Sequence, residues 1–351
     1  MKVAIGVGGA ASGRGDWGKV VEFAVEAEKL GVEVAWSAEA WGQDAIAPLA
    51  FLAARTTRMR LGTGIMQISA RAPVMTAMTA MTMAAISGDR FILGLGASGP
   101  QVVEGLHGRP FRRPLERLRE TVEICRIAFR GERIQYDGRQ HQLPLPGGEG
   151  KALRLAQPAN PNIPIYLATL APRSLEMTGE LADGWLGTSF TPEHADAHLS
   201  HLAAGAAKAG RTLEDLDIQV GGTVAFGDDL DALIAPRKMG VAFTLGAMGS
   251  REHNFYNDAY RRGGFEDAAR EVQGLWLEKR RDEAAARVPD EMVTQANLLG
   301  TESMVRDRIR KYRNAGVTTL RLDPAGTGLA ERLETLGRAI DLVRDECGGE
   351  G

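Results

Sequence analysis

Short apolar stretches recur along the chain, each separated from the next by residues whose apolar positions return at helical spacing. The β-prone stretches are 3–7, 32–36, 60–65, 91–96, 163–168, 184–187, 217–225 and 317–322. Between the first two, Trp17, Val20, Val21, Ala24 and Ala27 line one face of a helix. Leu115, Leu118, Val122, Cys125 and Phe129 do the same after the fourth. Gly31 and Gly316 stand where helices stop before strands, and Thr191-Pro192 reads as an N-cap followed by proline at the first helical position. Eight strand–helix units predict an α/β fold, a closed parallel (β/α)8 TIM barrel, spanning 1–351 as a single domain. The chain exceeds a minimal barrel of ~250 residues by roughly 100. Two insertions account for the excess, at about 133–150, with a hairpin at Tyr136-Asp137-Gly138-Arg139, and at 228–298. The second is helical and highly charged. It follows the seventh strand, so it is expected to overhang the C-terminal face, either as a lid or as a solvated decoration.

Composition narrows the function. Hydrophobic residues are 44% and charged residues 25%, which is ordinary for a globular chain and excludes wholesale disorder. Forty-two Lys and Arg against forty-five Asp and Glu leave a net charge of −3, so no basic surplus exists to grip nucleic acid. Two cysteines, Cys125 and Cys347, cannot build a disulfide scaffold and fit a reducing compartment. The N-terminus lacks a signal-peptide core. The apolar run Val74 to Ile86 falls short of the ~20 residues that cross a bilayer. A cytoplasmic protein without membrane attachment is expected.

In parallel barrels the chemistry sits at the C-terminal ends of the strands. After the second strand, Glu39 is a candidate for proton transfer and Trp41 for a platform under a flat ligand. After the third, Gly62 and Gly64 either permit close ligand approach or serve a tight bend. After the fourth, Gly94-Leu95-Gly96-Ala97-Ser98-Gly99 spells the dinucleotide fingerprint, but in the wrong unit and running into Pro100, with the helix expected later. Close approach to some other ligand is retained. His107, in the loop beyond, is a candidate substrate contact. After the fifth strand, Ala168 to Ser174 leads into a helix N-terminus, where free N–H groups favour a phosphate and Arg173 and Ser174 add contacts. His194, His198 and His201 share one helical face without a completing carboxylate, so a solvated or half-buried face is preferred and no metal is expected. Met75, Met78, Met81 and Met83 form a stripe suited to core packing or a subunit contact. No Ser/His/Asp or Cys/His nucleophile set assembles.

Taken together these stretches resemble the luciferase-like monooxygenase superfamily, and within it the branch of oxidoreductases dependent on coenzyme F420, a deazaflavin. The carriers are Ala38-Glu39-Ala40-Trp41-Gly42; Leu61-Gly62-Thr63-Gly64-Ile65-Met66-Gln67 with Arg71-x-Pro73; Leu95 to Gly105; Ile163 to Ala168; and Ala182-Asp183-Gly184-Trp185. The likeness covers about residues 1–200 and the last unit from Gly300. It implies a bacterial-luciferase-like barrel whose mouth holds F420, with FMN as the alternative, and it implies a homodimer. A non-prolyl cis peptide at Gly64–Ile65 would abut the ring, and Gln67 would lie at the ring's polar edge. Ala97 and Ser98 would touch the cofactor, and Leu170, Ala171, Arg173 and Ser174 would take its phosphate.

A sugar-phosphate dehydrogenase of the superfamily carries an Asp-His pair and a further carboxylate where this chain has Ala38-Glu39 and Gly99. The resemblance therefore does not extend to that acid/base pair. The expected reaction is hydride transfer between the deazaflavin and a small organic substrate, with Glu39 managing the proton and Trp41 and His107 shaping the pocket. The rivals are a monooxygenase using reduced FMN supplied by a partner reductase, a cofactor-binding protein without turnover, and a metal-dependent barrel isomerase.

Overall fold

The computed structural model describes residues 1–8, 16–250 and 254–348. Twelve strands form: β1 (Lys2–Gly6), β2 (Val34–Ser37), β3 (Arg60–Thr63), β4 (Met66–Gln67), β5 (Phe91–Gly96), β6 (Tyr136–Asp137), β7 (Gln142–Leu143), β8 (Ile165–Leu167), β9 (Gly184–Leu186), β10 (Asp217–Phe226), β11 (Leu298–Gly300) and β12 (Thr319–Pro324). Eight of them close a parallel ring in the order β1-β2-β3-β5-β8-β9-β10-β12, with β12 returning to β1. This is the expected (β/α)8 barrel. The third stretch is shorter than its apolar run suggests. β3 ends at Thr63, and the chain bulges before β4 resumes the pairing, with Gln67 opposite Gly96. β11 begins at the last residue of the stretch assigned to the second insertion and runs beyond it. It adds alongside the end of β10, Val224 facing Leu298.

The outer layer is α1 (Trp17–Leu30), α2 (Ile46–Ala53), α3 (Pro73–Ser87), α4 (Pro114–Phe129), α5 (Pro172–Leu181) and α6 (Asp196–Lys208), closed after the insertion by α12 (Glu302–Asn314) and α13 (Leu329–Cys347). Their starts and stops follow local chemistry. Asp16 caps α1 by accepting from Gly18 N, and Gly31 ends it in the left-handed region at φ 109°. Pro73, Pro114 and Pro172 each open a helix. Within α3 the methionine stripe divides: Met81 and Met83 are buried in the core, while Met75 and Met78 face outward.

The main core lies between strands and helices and includes Ile5, Leu61, Phe91, Trp185, Leu320 and Leu322. A smaller cluster fills the barrel itself: Ala4, Val34, Trp36, Ile92, Tyr166 and Leu186. No helix among the described residues is long and apolar enough to cross a membrane.

Of the insertions, the first carries the expected hairpin, Tyr136 pairing with Leu143. Buried Glu120 accepts from the backbone N–H groups of Arg139, Gln140 and His141 across its turn. The second holds α7 (Leu230–Ala247), α8 (Phe255–Tyr260), α9 (Glu266–Leu277), α10 (Arg281–Ala286) and α11 (Asp290–Ala296). These helices pack on a core of their own, with Ala242, Leu245, Ala269, Val272, Ala284, Met292 and Val293 buried. The insertion touches the loops after four barrel strands, and so overhangs the mouth. Phe243 meets Trp41 at 6.4 Å, Met248 lies over Gly99, Arg262 donates to the Leu170 carbonyl at 2.7 Å, and Phe265 meets His194 at 5.9 Å.

Candidate active site

The bulge between β3 and β4 is the most tightly specified feature of the mouth. The Gly64–Ile65 peptide bond is cis, at the place the resemblance indicates. The bulge is laced to the loop after β2: Gly64 N donates to Ser37 O at 2.7 Å, and Glu39 N donates to Ile65 O at 2.9 Å. The Glu39 carboxylate, 7% exposed, then accepts from Gln67 N at 3.0 Å and Ala45 N at 3.3 Å, while Arg71 Nη1 reaches both oxygens at 2.7 and 2.8 Å. A carboxylate so committed is an anchor. Its donors hold it in one orientation. Arg71 reaches it from 32 positions away, an approach that the local sequence does not show.

The glycines around the bulge are required by the chain itself. A Cβ on Gly62 would stand 2.2 Å from the Trp36 ring, and one on Gly94 would stand 1.7 Å from the Thr63 carbonyl oxygen. Gly96 is covered by the Ile65 side chain, 3.0 Å from where its Cβ would be. Gly94 and Gly96 of the dinucleotide-like motif are therefore required by internal packing, while Gly99 meets only the Met248 carbonyl and Gln101 at 3.5 and 3.6 Å from where its Cβ would be. Beyond β5, Ala97 is partly buried and Ser98 adopts φ 60°. A short wide helical turn, Gln101–Leu106, begins directly after Pro100, earlier than expected. His107 caps it through its N–H to Val102 O at 3.0 Å. The His107 side chain is exposed, and no hydrogen bond or ring contact joins it to the bulge among the described residues.

At the end of β8 the expected helix start is present. Ala171 is the N-cap of α5 and offers no side-chain cap; Pro172 has no N–H and Ser174 N donates to Ala171 O at 2.9 Å, which leaves the Arg173 N–H as the first-turn donor without a hydrogen-bond partner among the described residues. Ser174 Oγ donates to Ala171 O at 2.8 Å and is held in the turn. Arg173 is exposed, with no ion pair among the described residues. Leu170 is fixed from above by Arg262.

The three histidines do not share a face. His194 ends a short turn at Pro192–His194 and packs on Gly264 and Phe265. His201 lies 4.0 Å from Glu176. His198 is 1% exposed between Trp185 and Phe190, at 5.4 and 5.8 Å, with neither ring nitrogen hydrogen-bonded among the described residues. Burial pushes its imidazole down to about 4.

The inner wall holds polar atoms that find no hydrogen-bond partner among the described residues: Trp36 Nε1, Gln67 Oε1, Gln219 Oε1 and Arg321 Nε. Gln67 also donates through Nε2 to Ala40 O at 3.1 Å, which aims its free oxygen. Arg321 and Asp323 escaped the sequence reading. Their signal was available: strands of a parallel barrel are apolar on both faces, and Arg-Leu-Asp breaks that rule at period two.

The luciferase-like monooxygenase family model matches residues 2–319. A Mycobacterium tuberculosis protein, provisionally named a coenzyme F420-dependent oxidoreductase, is 39% identical over 327 residues, covering 91% of this chain and 93% of that one. The 5,10-methylenetetrahydromethanopterin reductase of Methanolobus tindarius is 28% identical, covering 92% and 95%. The solved structure of the coenzyme F420-dependent tetrahydromethanopterin reductase of Methanopyrus kandleri superimposes with a TM-score of 0.78 at 23% identity, covering 96% of this chain and 98% of that one. It speaks for the fold.

Proposed function

The chain belongs to the luciferase-like monooxygenase family, and from that premise we propose that it is an F420-dependent oxidoreductase acting on a small organic molecule. The observation that carries the reading is the convergence of three strand ends on one mouth. The clamped bulge with its unpartnered Gln67 oxygen stands at β3–β4, Ala97 and Ser98 follow β5, and the uncapped start of α5 with unpaired Arg173 follows β8.

These residues fit a planar ring with an anionic tail. Gly64 and Ile65 would back the ring. Gln67 Oε1, buried and without a donor among the described residues, would accept from a ring N–H. Leu170, Ala171, Arg173 and Ser174 would receive the phosphate at a helix N-terminus. When bound, the deazaflavin supplies a carbon centre that gives or takes hydride. The chain's own contribution is to orient and to exclude water. Glu39 and Arg71 hold the bulge in register, and the insertion roofs the mouth, with Trp41 and Phe243 forming an aromatic rim.

We assign Glu39 to positioning, and leave Trp41 and His107 as candidate substrate contacts. A soluble homodimer accords with the exposed apolar residues Phe51, Met75, Met78 and Ile86 on α2 and α3. The test is titration of the purified protein with F420 and with FMN, followed by fluorescence. Tighter F420 binding is expected, and clearly tighter FMN binding overturns the proposal in favour of the flavin-dependent monooxygenase.

A further inference from the structure

β10 and β12 form the wall across the lumen from the bulge: in the ring of eight, β10 stands opposite β3 and β12 opposite β5. Their inward residues follow from register. Ala4, in the cluster inside the barrel, pairs with Arg321, and Gly221 pairs with Arg321 from the other side. Ile218, Val220, Leu320 and Leu322 belong to the outer core. Asp217, Gln219, Thr319, Arg321 and Asp323 therefore look inward.

At the floor, Asp217 is satisfied. It accepts from Lys2 at 3.3 Å, Tyr166 at 2.8 Å and Thr319 at 2.7 Å, and also from Thr318. Higher up the balance fails. Arg321 Nη2 reaches Asp323 Oδ2 at 3.2 Å, but among the described residues Arg321 Nε has no partner, and neither has the oxygen of Gln219, which is 5% exposed. Arg321 and Asp323 side chains remain 35% and 45% exposed although they point into the barrel, so water reaches them through the mouth. Gly6 leaves room beside them, since a Cβ there would meet Asp323 Oδ1 at 3.3 Å. A half-exposed pair of this kind stabilises a fold little, and an unpartnered buried polar atom costs stability.

We propose that Arg321 and Asp323, with Gln219 one layer deeper, form the polar anchor for the substrate, which is a neutral molecule presenting a carbonyl oxygen beside an N–H or O–H donor. The guanidinium donates to the carbonyl. The Asp323 carboxylate accepts from the neighbouring donor and holds the guanidinium fork in place. The pair has no net charge, so a free carboxylate gains Arg321 only by meeting Asp323, and is disfavoured. This assignment rests on the barrel mouth being the oxidoreductase site, and it names what that site selects.

The probe is 2-piperidone, a lactam whose C=O and N–H share one edge. Its controls are N-methyl-2-piperidone and benzoate, with binding read by ligand-observed NMR. The parent protein should prefer 2-piperidone over the N-methyl compound by about tenfold, the value of one hydrogen bond to a charged group. Arg321→Met and Arg321→Lys should both abolish that preference, the second without losing the charge. Asp323→Asn should admit benzoate. Equal binding of the two lactams to the parent, or a preference untouched in both Arg321 variants, overturns the anchor. F420 binding, measured on the same samples, should be unchanged by all three substitutions. Its absence from the parent would overturn the cofactor reading, whereas a lactam preference that depends on Arg321 would still stand as evidence for the anchor.

Discussion

Replacing Glu39 by Gln separates an anchor from a proton carrier. The carboxylate is 7% exposed and serves three donors, Gln67 N, Ala45 N and Arg71, the last at 2.7 Å. Breaking a buried ion pair by removing one partner costs about 3–5 kcal/mol. Arg71 keeps 22% of its side chain exposed and can recover some hydration, which places the expected loss near the lower end, at about 3 kcal/mol. Glutamine also turns an amide N–H toward a donor, so one of the two backbone hydrogen bonds to this side chain, from Gln67 N or Ala45 N, is lost. The unfolding free energy from urea titration should fall by that amount. A cycle with Arg71→Gln should return a coupling of about 2 kcal/mol, within the range for contacting residues. F420 affinity should weaken with it, because Gln67 is seated through the same carboxylate. The shape of the pH–rate profile should not change. A variant with parental stability and parental F420 affinity, but with turnover down by about a hundredfold or more and an altered pH–rate profile, would refute the anchoring argument and restore Glu39 as a proton carrier.

Two further expectations concern buried groups. Burial pushes His198 from its ordinary 6.5 down to about 4, so the unfolded chain binds more protons than the folded one between those values. The stabilising contribution is complete above pH ~6.5 and is lost as pH falls through 4, about 3 kcal/mol in all. His198→Phe, compared with the parent by urea unfolding at pH 7.5 and pH 5, should gain about 2 kcal/mol relative to it at the lower pH, and a pH-independent difference would contradict this. Cys125 is fully buried and its thiol is pushed up to about 12, while Cys347 is partly exposed. One thiol per native chain should therefore react with a disulfide reagent at pH 8 and two after denaturation, and rapid native reaction of both would be inconsistent with the core described.

Local pattern was enough to establish the barrel. Periodicity marks eight strands, and the caps at Asp16, Gly31 and Pro172 act within a few residues of themselves. The stretches around the bulge and the start of α5 were likewise readable, because a strand-end motif and a helix start are written in consecutive residues. What tertiary structure alone decided is pairing across distance. Glu39 gains its ion pair only because Arg71 arrives from 32 positions away. Gly62 and Gly94 are spent on Trp36 and on the Thr63 carbonyl. β11 has no apolar run long enough to announce it, and exists because the end of β10 offers it an edge. His198 is buried because Trp185 and Phe190 close around it, not because of the helix it sits on. Arg321 and Asp323 face the lumen by strand register, and a shift of one residue would have turned both toward the helices. A side chain's neighbours are set by which strands pair and in what register, and that is a property of the closed ring.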